Sequence, residues 1–374
     1  MAKRRPDNSK NRIDRNAKSQ SPSKPPQKEF NLFSTMIFAL TYIVVLLILL
    51  EIVARAFLWF DMGVGPSDLI YKYYPTLKEV EESQYESGSY DILILGASVI
   101  AKGWTNGGIQ TVLAKKLADQ GARHVRIYNL ATPAHTTLDS YYKYKHLINR
   151  KFDLVVIYDS INDTRANNCP LKIYRDDYSH YAWYEELNLL DQHKEIKYLV
   201  FPYEFHKLAI RIWKSINHIE YVPKTFPKKE WIQYGVDIKT KVSFKNNLEK
   251  IIELAGQKGE KILLMTFAYY VPKDYSYEKF KSCQLDYTFL EWSAPIEEWG
   301  APANVVKGID AHNEVIKELA REHKDVLLVD QASLMPHSGT YFRDICHLTP
   351  AGFDQFVDNF YKVVLKNIPT NNGL

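Results

Sequence analysis

The chain is short of cysteine. It has three, Cys169, Cys283 and Cys346, among 374 residues, too few for a disulfide framework and one too many for full pairing. A Cys169–Cys283 bridge in an oxidising compartment and free thiols are both open readings. No Cys-x-x-Cys occurs, which argues against a zinc knuckle, and no metal or diffusible cofactor is implied. There is no internal repeat. There is also no basic face and no interleaving of aromatic with basic residues, so a nucleic-acid partner is not expected.

Strong net charge is missing from most of the chain. Residues 1 to 29 carry nine Lys or Arg against three Asp or Glu, a net of +6, while the whole chain is +4, so residues 30 to 374 sum to −2. The basic excess belongs to the tail. That tail is rich in Lys, Arg, Asn, Ser and Pro, and so little apolar surface cannot offset the entropy of ordering it. Residues 1–31 are expected to be disordered.

What is present begins with "LFSTMIFALTYIVVLLILL", residues 32–50, nineteen residues without a charge. At 1.5 Å per residue, ~20 residues cross the ~30 Å hydrocarbon core of a bilayer. The run exceeds a signal-peptide core, and no small-residue cleavage site follows it. "EIVARAFLWF" continues the helix, with Glu51 and Arg55 spaced to pair and Trp59 suited to an aromatic belt. The pattern predicts a transmembrane helix over 32–60 and a linker over 61–89. The cationic tail puts 1–31 in the cytoplasm and the main domain in the periplasm or outside the cell, as for a bacterial inner-membrane protein.

From residue 90 to 370, apolar runs alternate with amphipathic segments. "DILILG" (91–96), "VRIYNL" (125–130), "DLVVIYD" (153–159), "KILLMTF" (261–267) and "VLLVD" (326–330) read as strands. Segments at 108–121, 137–149, 241–257, 303–323 and 350–366 read as helices. Continuous apolar strands alternating with helices predict an α/β fold, a three-layer α/β/α sandwich on a five-stranded parallel sheet. Two aromatic-rich stretches, 164–240 and 268–300, interrupt the alternation as insertions, which are more often lids or binding surfaces than idle loops.

Ligands of such sheets bind at the carboxyl ends of the strands. Ser98 follows the first strand, "NLATPAHTT" (129–137) the second, Asn162 and Asp163 the third, and Asp344 with His347 the fifth. This set suits nucleophilic acyl transfer. A serine hydroxyl needs a base, imidazole has the right pKa, and a carboxylate can orient that imidazole. Asn162 and backbone N–H groups can serve a developing oxyanion. Local roles compete: Thr349 as an N-cap with Pro350 at the first helical position, and His135 as a surface-loop residue. Arg165 can meet an anionic group or form a structural ion pair. "NDT" (162–164) reads as a glycosylation acceptor. Modifying Asn162 would destroy the site, which sits better with a bacterial periplasm.

These residues also carry a resemblance. "ILILGASVIAKG", "NLATPAHTT", "YDSINDT" and "DICHLTPAGF" resemble, in order, sequence blocks of SGNH/GDSL-type hydrolases, whose sheet is flavodoxin-like. The resemblance implies Ser98 as nucleophile, His347 as base and Asp344 as its partner. It implies an oxyanion hole of Asn162 with the N–H groups of Ser98 and Ala134; by position beside these, His135 and Arg165 are the candidate substrate contacts. Ala97 stands where the family has Asp, Ala134 (or Ala131) and Ser160 where it often has Gly. The expected function is a membrane-anchored serine esterase acting on O-acyl, chiefly O-acetyl, esters of a cell-envelope glycan or lipid. Acyl transfer to a polysaccharide by the same triad, and a decayed binding or assembly protein, are the alternatives.

Overall fold

A computed structural model describes residues 31–84, 86–102, 108–122 and 124–369. Apart from Asn31, the expected disordered tail lies outside the described residues. The chain divides into two units, 1–52 and 53–374. In the first, the described residues belong to the helix α1 (Leu32–Met62), which by length and composition is able to cross a membrane.

The second unit starts well before residue 90. Ala54 and Leu58, in the last turns of α1, are buried against Leu69, Val200 and Tyr203. The stretch expected as a linker is instead folded, with α2 (Leu69–Tyr73) and α3 (Thr76–Glu82). Tyr73, Tyr74, Leu77 and Val80 pack into the main core. These residues bury too much apolar surface to be left in water as a tether.

The five expected strands form one parallel sheet in the order β2-β1-β3-β4-β5. They are β1 (Tyr90–Gly96), β2 (Val125–Asn129), β3 (Leu154–Tyr158), β4 (Lys261–Met265) and β5 (Val326–Val329). Helices α4 (Gly108–Asp119), α5 (Thr137–His146), the short α6 (Ile161–Thr164), α7 (Ala182–Gln192), α8 (Phe201–Ile216), α9 (Thr240–Lys258), α10 (Tyr277–Lys281), α11 (Pro302–Glu322), α12 (Gln331–Leu334) and α13 (Pro350–Asn367) complete the order. Alternate strand residues feed opposite layers, as the pleat requires. Ile92, Ile94, Val156 and Met265 pack on Ile109 and Leu113 of α4 and Phe356 and Phe360 of α13. Leu93, Leu95, Val155 and Leu264 pack on Tyr144 of α5, Phe244 and Ile251 of α9 and Val315 of α11. The result is the expected α/β/α sandwich.

Strand order reverses between β1 and β3, which opens a crevice at their carboxyl ends. Gly96 ends β1 there, where an added Cβ would sit 2.6 Å from the Tyr158 carbonyl oxygen of β3. All three cysteines are free, with Cys169 and Cys346 buried and Cys283 exposed.

Candidate active site

Ser98 opens a single 3-10 turn, Ser98–Ile100, directly after β1. Its Oγ lies 2.8 Å from His347 Nε2. His347 Nδ1 lies 2.7 Å from Asp344 Oδ2. Asp344 also accepts the backbone N–H groups of His347 (2.7 Å) and Cys346 (2.9 Å) on Oδ1, and that of Ala294 (2.9 Å) on Oδ2. Burial alone would raise the Asp344 carboxyl, but the His347 imidazole and these backbone donors outweigh it and hold it below its ordinary value. An ionised carboxylate only accepts, so Nδ1 carries the imidazole proton and Nε2 is free to accept from the serine hydroxyl.

The loop that carries Asp344 and His347 is pinned from outside. Phe342 and Leu348 form an antiparallel bridge across it, and Arg343 N–H donates to the His347 carbonyl at 2.9 Å. Thr349 caps α13 by accepting Gly352 N–H at 3.0 Å, with Pro350 at the helix start. The local role read from the sequence and the site role therefore coexist. Gly352 is required by close approach, since a Cβ there would meet the Tyr341 carbonyl oxygen at 2.0 Å.

Ser98, Ala134 and Asn162 follow β1, β2 and β3 and so stand at the same edge of the sheet. Among the described residues neither the Ser98 nor the Ala134 backbone N–H has an acceptor. Ala134 has φ +63°, and His135 N–H closes the turn on the Thr132 carbonyl at 3.3 Å. With Pro133 second and a positive φ third, this is a type II turn in which Ala stands where Gly is favoured. Asn162 donates from Nδ2 to the His135 carbonyl at 2.9 Å, and its Oδ1 accepts Trp299 Nε1–H at 2.9 Å. An indole nitrogen only donates and a carbonyl only accepts, so the amide orientation is fixed and one Nδ2 hydrogen is left over.

His135 is not on the surface. It is buried, edge-on to Tyr74 with ring centroids 5.5 Å apart, and burial pushes its imidazole down to about 3. Arg165 pairs with Glu298 at 2.9 Å, donates to the Lys224 carbonyl at 2.8 Å, and lies 5.3 Å over the Trp299 ring. Both line a cavity of about 240 Å³ together with Ala134, Asn162, Tyr181 and Trp183. His135 Nδ1, Arg165 Nε and Tyr181 Oη are buried without a partner among the described residues.

The sequence did not reveal four residues that hold this site. Asp139, fully buried, accepts Thr136 N–H (2.8 Å), Tyr74 Oη (2.8 Å) and Tyr184 Oη (2.6 Å), tying the Ala134 loop to the residue that follows α2 and to the first insertion. Lys143 Nζ, also buried, donates to the Leu130 carbonyl at 2.6 Å and Thr132 Oγ1 at 3.2 Å on the same loop. Trp299 and Ala294, from the second insertion, grip Asn162 and Asp344. Ser160 instead bonds the buried His312 at 3.1 Å, away from the donors above.

Asp344, Cys346 and His347 bring possible ligand atoms within 4.8 Å of one another. Asp344 already occupies Nδ1, and burial with the nearby Asp344 charge pushes the Cys346 thiol well above its ordinary value.

No model of a known protein family matches the chain, and no curated protein matches it. Among solved structures, it is similar to a GDSL-like lipase from Bacteroides thetaiotaomicron, at 14% identity and TM-score 0.43, over 79% of this chain and 97% of that one. It is similar to a lipase/acylhydrolase from Enterococcus faecalis, at 13% identity and TM-score 0.40, over 76% and 100%. A variant of an acetyl xylan esterase from Geobacillus stearothermophilus matches at 14% identity and TM-score 0.41, over 75% and 95%. Identities and scores this low leave the function to be judged from the side chains.

Proposed function

We propose that the chain is a membrane-anchored serine esterase of the SGNH type that cleaves O-acyl esters, chiefly O-acetyl, of a cell-envelope glycan. The observation that carries this reading is the unbroken relay from Ser98 Oγ to His347 at 2.8 Å and on to Asp344 at 2.7 Å. The amide of Asn162 has a fixed orientation, and among the described residues the backbone N–H groups of Ser98 and Ala134 have no acceptor.

The chemistry follows from those contacts. His347 Nε2 takes the hydroxyl proton as Ser98 Oγ attacks the ester carbonyl carbon. Asp344 stabilises the imidazolium that forms. Negative charge on the carbonyl oxygen meets the Ser98 and Ala134 N–H groups and the spare Asn162 hydrogen. Collapse expels the alcohol, which recovers the proton from His347 and leaves an acyl-serine. Water then repeats the sequence, and the acid departs.

Tyr181, Trp183 and Tyr184 line the cavity beside Arg165 and Lys224, and aromatic walls with cationic side chains favour a sugar over a lipid chain. The anchor is α1, whose apolar stretch suits a bilayer span and whose last turns are built into the folded unit. The tail is cytoplasmic and the site periplasmic or extracellular in this reading. Acetate release from an O-acetylated oligosaccharide tests the proposal. It is expected with the wild-type chain and not with Ser98→Ala, and acetyl appearing on an added acceptor sugar would convert the esterase into a transferase.

A further inference from the structure

Helix α8 is amphipathic the wrong way round for a soluble domain. Phe205, Leu208, Ile212 and Ile216 recur at spacings of three and four, so they share one face. That face is turned outward: they are 61%, 54%, 51% and 71% exposed. Phe201, half-buried at the start of the helix, packs on the cluster around Tyr203 with its ring centroid 5.8 Å from that of Phe205. The inward face is held largely by polar contacts instead. Lys207 pairs with Asp61 at 2.7 Å and Lys214 with Glu185 at 2.5 Å, around the buried Tyr203. Water would favour the reverse arrangement, so the stripe is made for an apolar neighbour.

The position of α8 says which neighbour. Lys207 and Tyr203 join it to residues 53–62, the end of α1. α1 has 31 residues, or ~46 Å at 1.5 Å each, close to the ~40–45 Å of a bilayer with its headgroups. Asp61, one residue from its end, therefore sits at headgroup depth when α1 spans. Exposed Trp59 and Phe60 mark the same level. Exposed Lys194, Lys197 and Tyr198 precede α8, as suits a helix lying among anionic headgroups.

We propose that α8 lies in the membrane interface, its Phe205–Leu208–Ile212–Ile216 face among the acyl chains of the leaflet where α1 emerges. The occupant of the stripe is the bilayer. This rests on the reading of α1 as a membrane anchor. It gives the domain a second attachment beside the first, which fixes its orientation where a single span would let it swing.

The test uses the full-length chain reconstituted in phosphatidylcholine–phosphatidylglycerol vesicles with and without brominated acyl chains. Cys283→Ser removes the exposed thiol, and a polarity-sensitive fluorophore is attached at Ile212→Cys or, for comparison, at Leu334→Cys beyond the edge strand β5. Flotation with the vesicles after an alkaline wash reports the anchor separately. The expected result is a blue-shifted probe at 212, quenched by brominated lipid several-fold more than the probe at 334. A chain that floats while the 212 probe stays unquenched would overturn the inference and assign the stripe to a protein partner or a second copy. A chain that fails to float would remove the anchor and the inference with it.

Discussion

Trp299 donates its indole N–H to Asn162 Oδ1 at 2.9 Å, across 137 positions of sequence. The contact turns the Asn162 amide so that its remaining hydrogen is available to an oxyanion. Replacing Asn162 with Ala should lower kcat by about 10²–10³. Trp299→Phe keeps an aromatic ring but removes the donor and trims the packing against Arg165, so it should lower kcat by about tenfold, roughly the worth of one hydrogen bond. Steady-state kinetics of both single variants and the double variant check this. The double variant should lose less than the product of the two single losses, because the indole N–H acts through that amide while the Trp299 ring centroid also lies 6.4 Å from that of His347.

Asp344→Asn should leave the fold intact and reduce kcat by roughly 10⁴. The new amide would present N–H to Nδ1 and force the proton onto Nε2, where it blocks acceptance from Ser98. Ester hydrolysis beside a circular dichroism spectrum separates this from unfolding.

Ala134→Gly should stabilise the chain. A non-glycine residue at φ +63° carries about 1–2 kcal/mol of strain, which exceeds the extra unfolded-state entropy of glycine, about 0.4–1 kcal/mol. Chemical denaturation should show a midpoint shifted upward, with esterase activity kept, because glycine presents the same N–H.

Acid should destabilise the fold gradually. Burial pushes the imidazoles of His135, His180 and His312 down to about 3. A histidine whose folded pKa lies below its unfolded value of about 6.5 contributes fully above that pH and loses its contribution as pH falls toward 3. Asp159 and Asp163, raised by burial to about 7 and 8, gain stability as pH falls over the same range and offset most of this, so thermal midpoints should decline only shallowly from about pH 6.5 downward. His312→Gln can keep partners in Ser160 and Thr240, bonded at 3.1 and 2.9 Å. It should start less stable, through loss of the stacked Phe244 contact, and decline less steeply.

Much of this architecture is written locally in the chain. The strands are short apolar runs bounded by polar residues, and β1, β3 and β4 match their expected positions to within two residues at each end. Ser98, Asn162, Asp344 and His347 were legible because each follows a strand, and a parallel sheet gathers those ends at one edge. Ala134 was placed by the resemblance of "NLATPAHTT" to a family block, and the turn it occupies was not read. The supports were not. Ala294 contributes a backbone N–H, which no residue type announces, and Trp299 was one aromatic among many in its insertion. Asp139 stands in the first turn of α5, where nothing local shows that it gathers Tyr74 and Tyr184 from distant segments. Residues 61–89 were misread as a linker because α2 and α3 are too short to show a helical period. The apolar period of α8 is plain in the sequence, but periodicity cannot say which face turns inward.

The most direct test of the central claim is the site of covalent modification during turnover. The full-length chain would be mixed with p-nitrophenyl acetate, quenched in acid, digested and examined by peptide mass spectrometry, beside Ser98→Ala. The expected result is one acetyl group on the peptide holding Ser98, and neither adduct nor turnover in the variant. Acetyl found on another residue, or turnover that survives Ser98→Ala, would contradict the assignment of Ser98 as nucleophile.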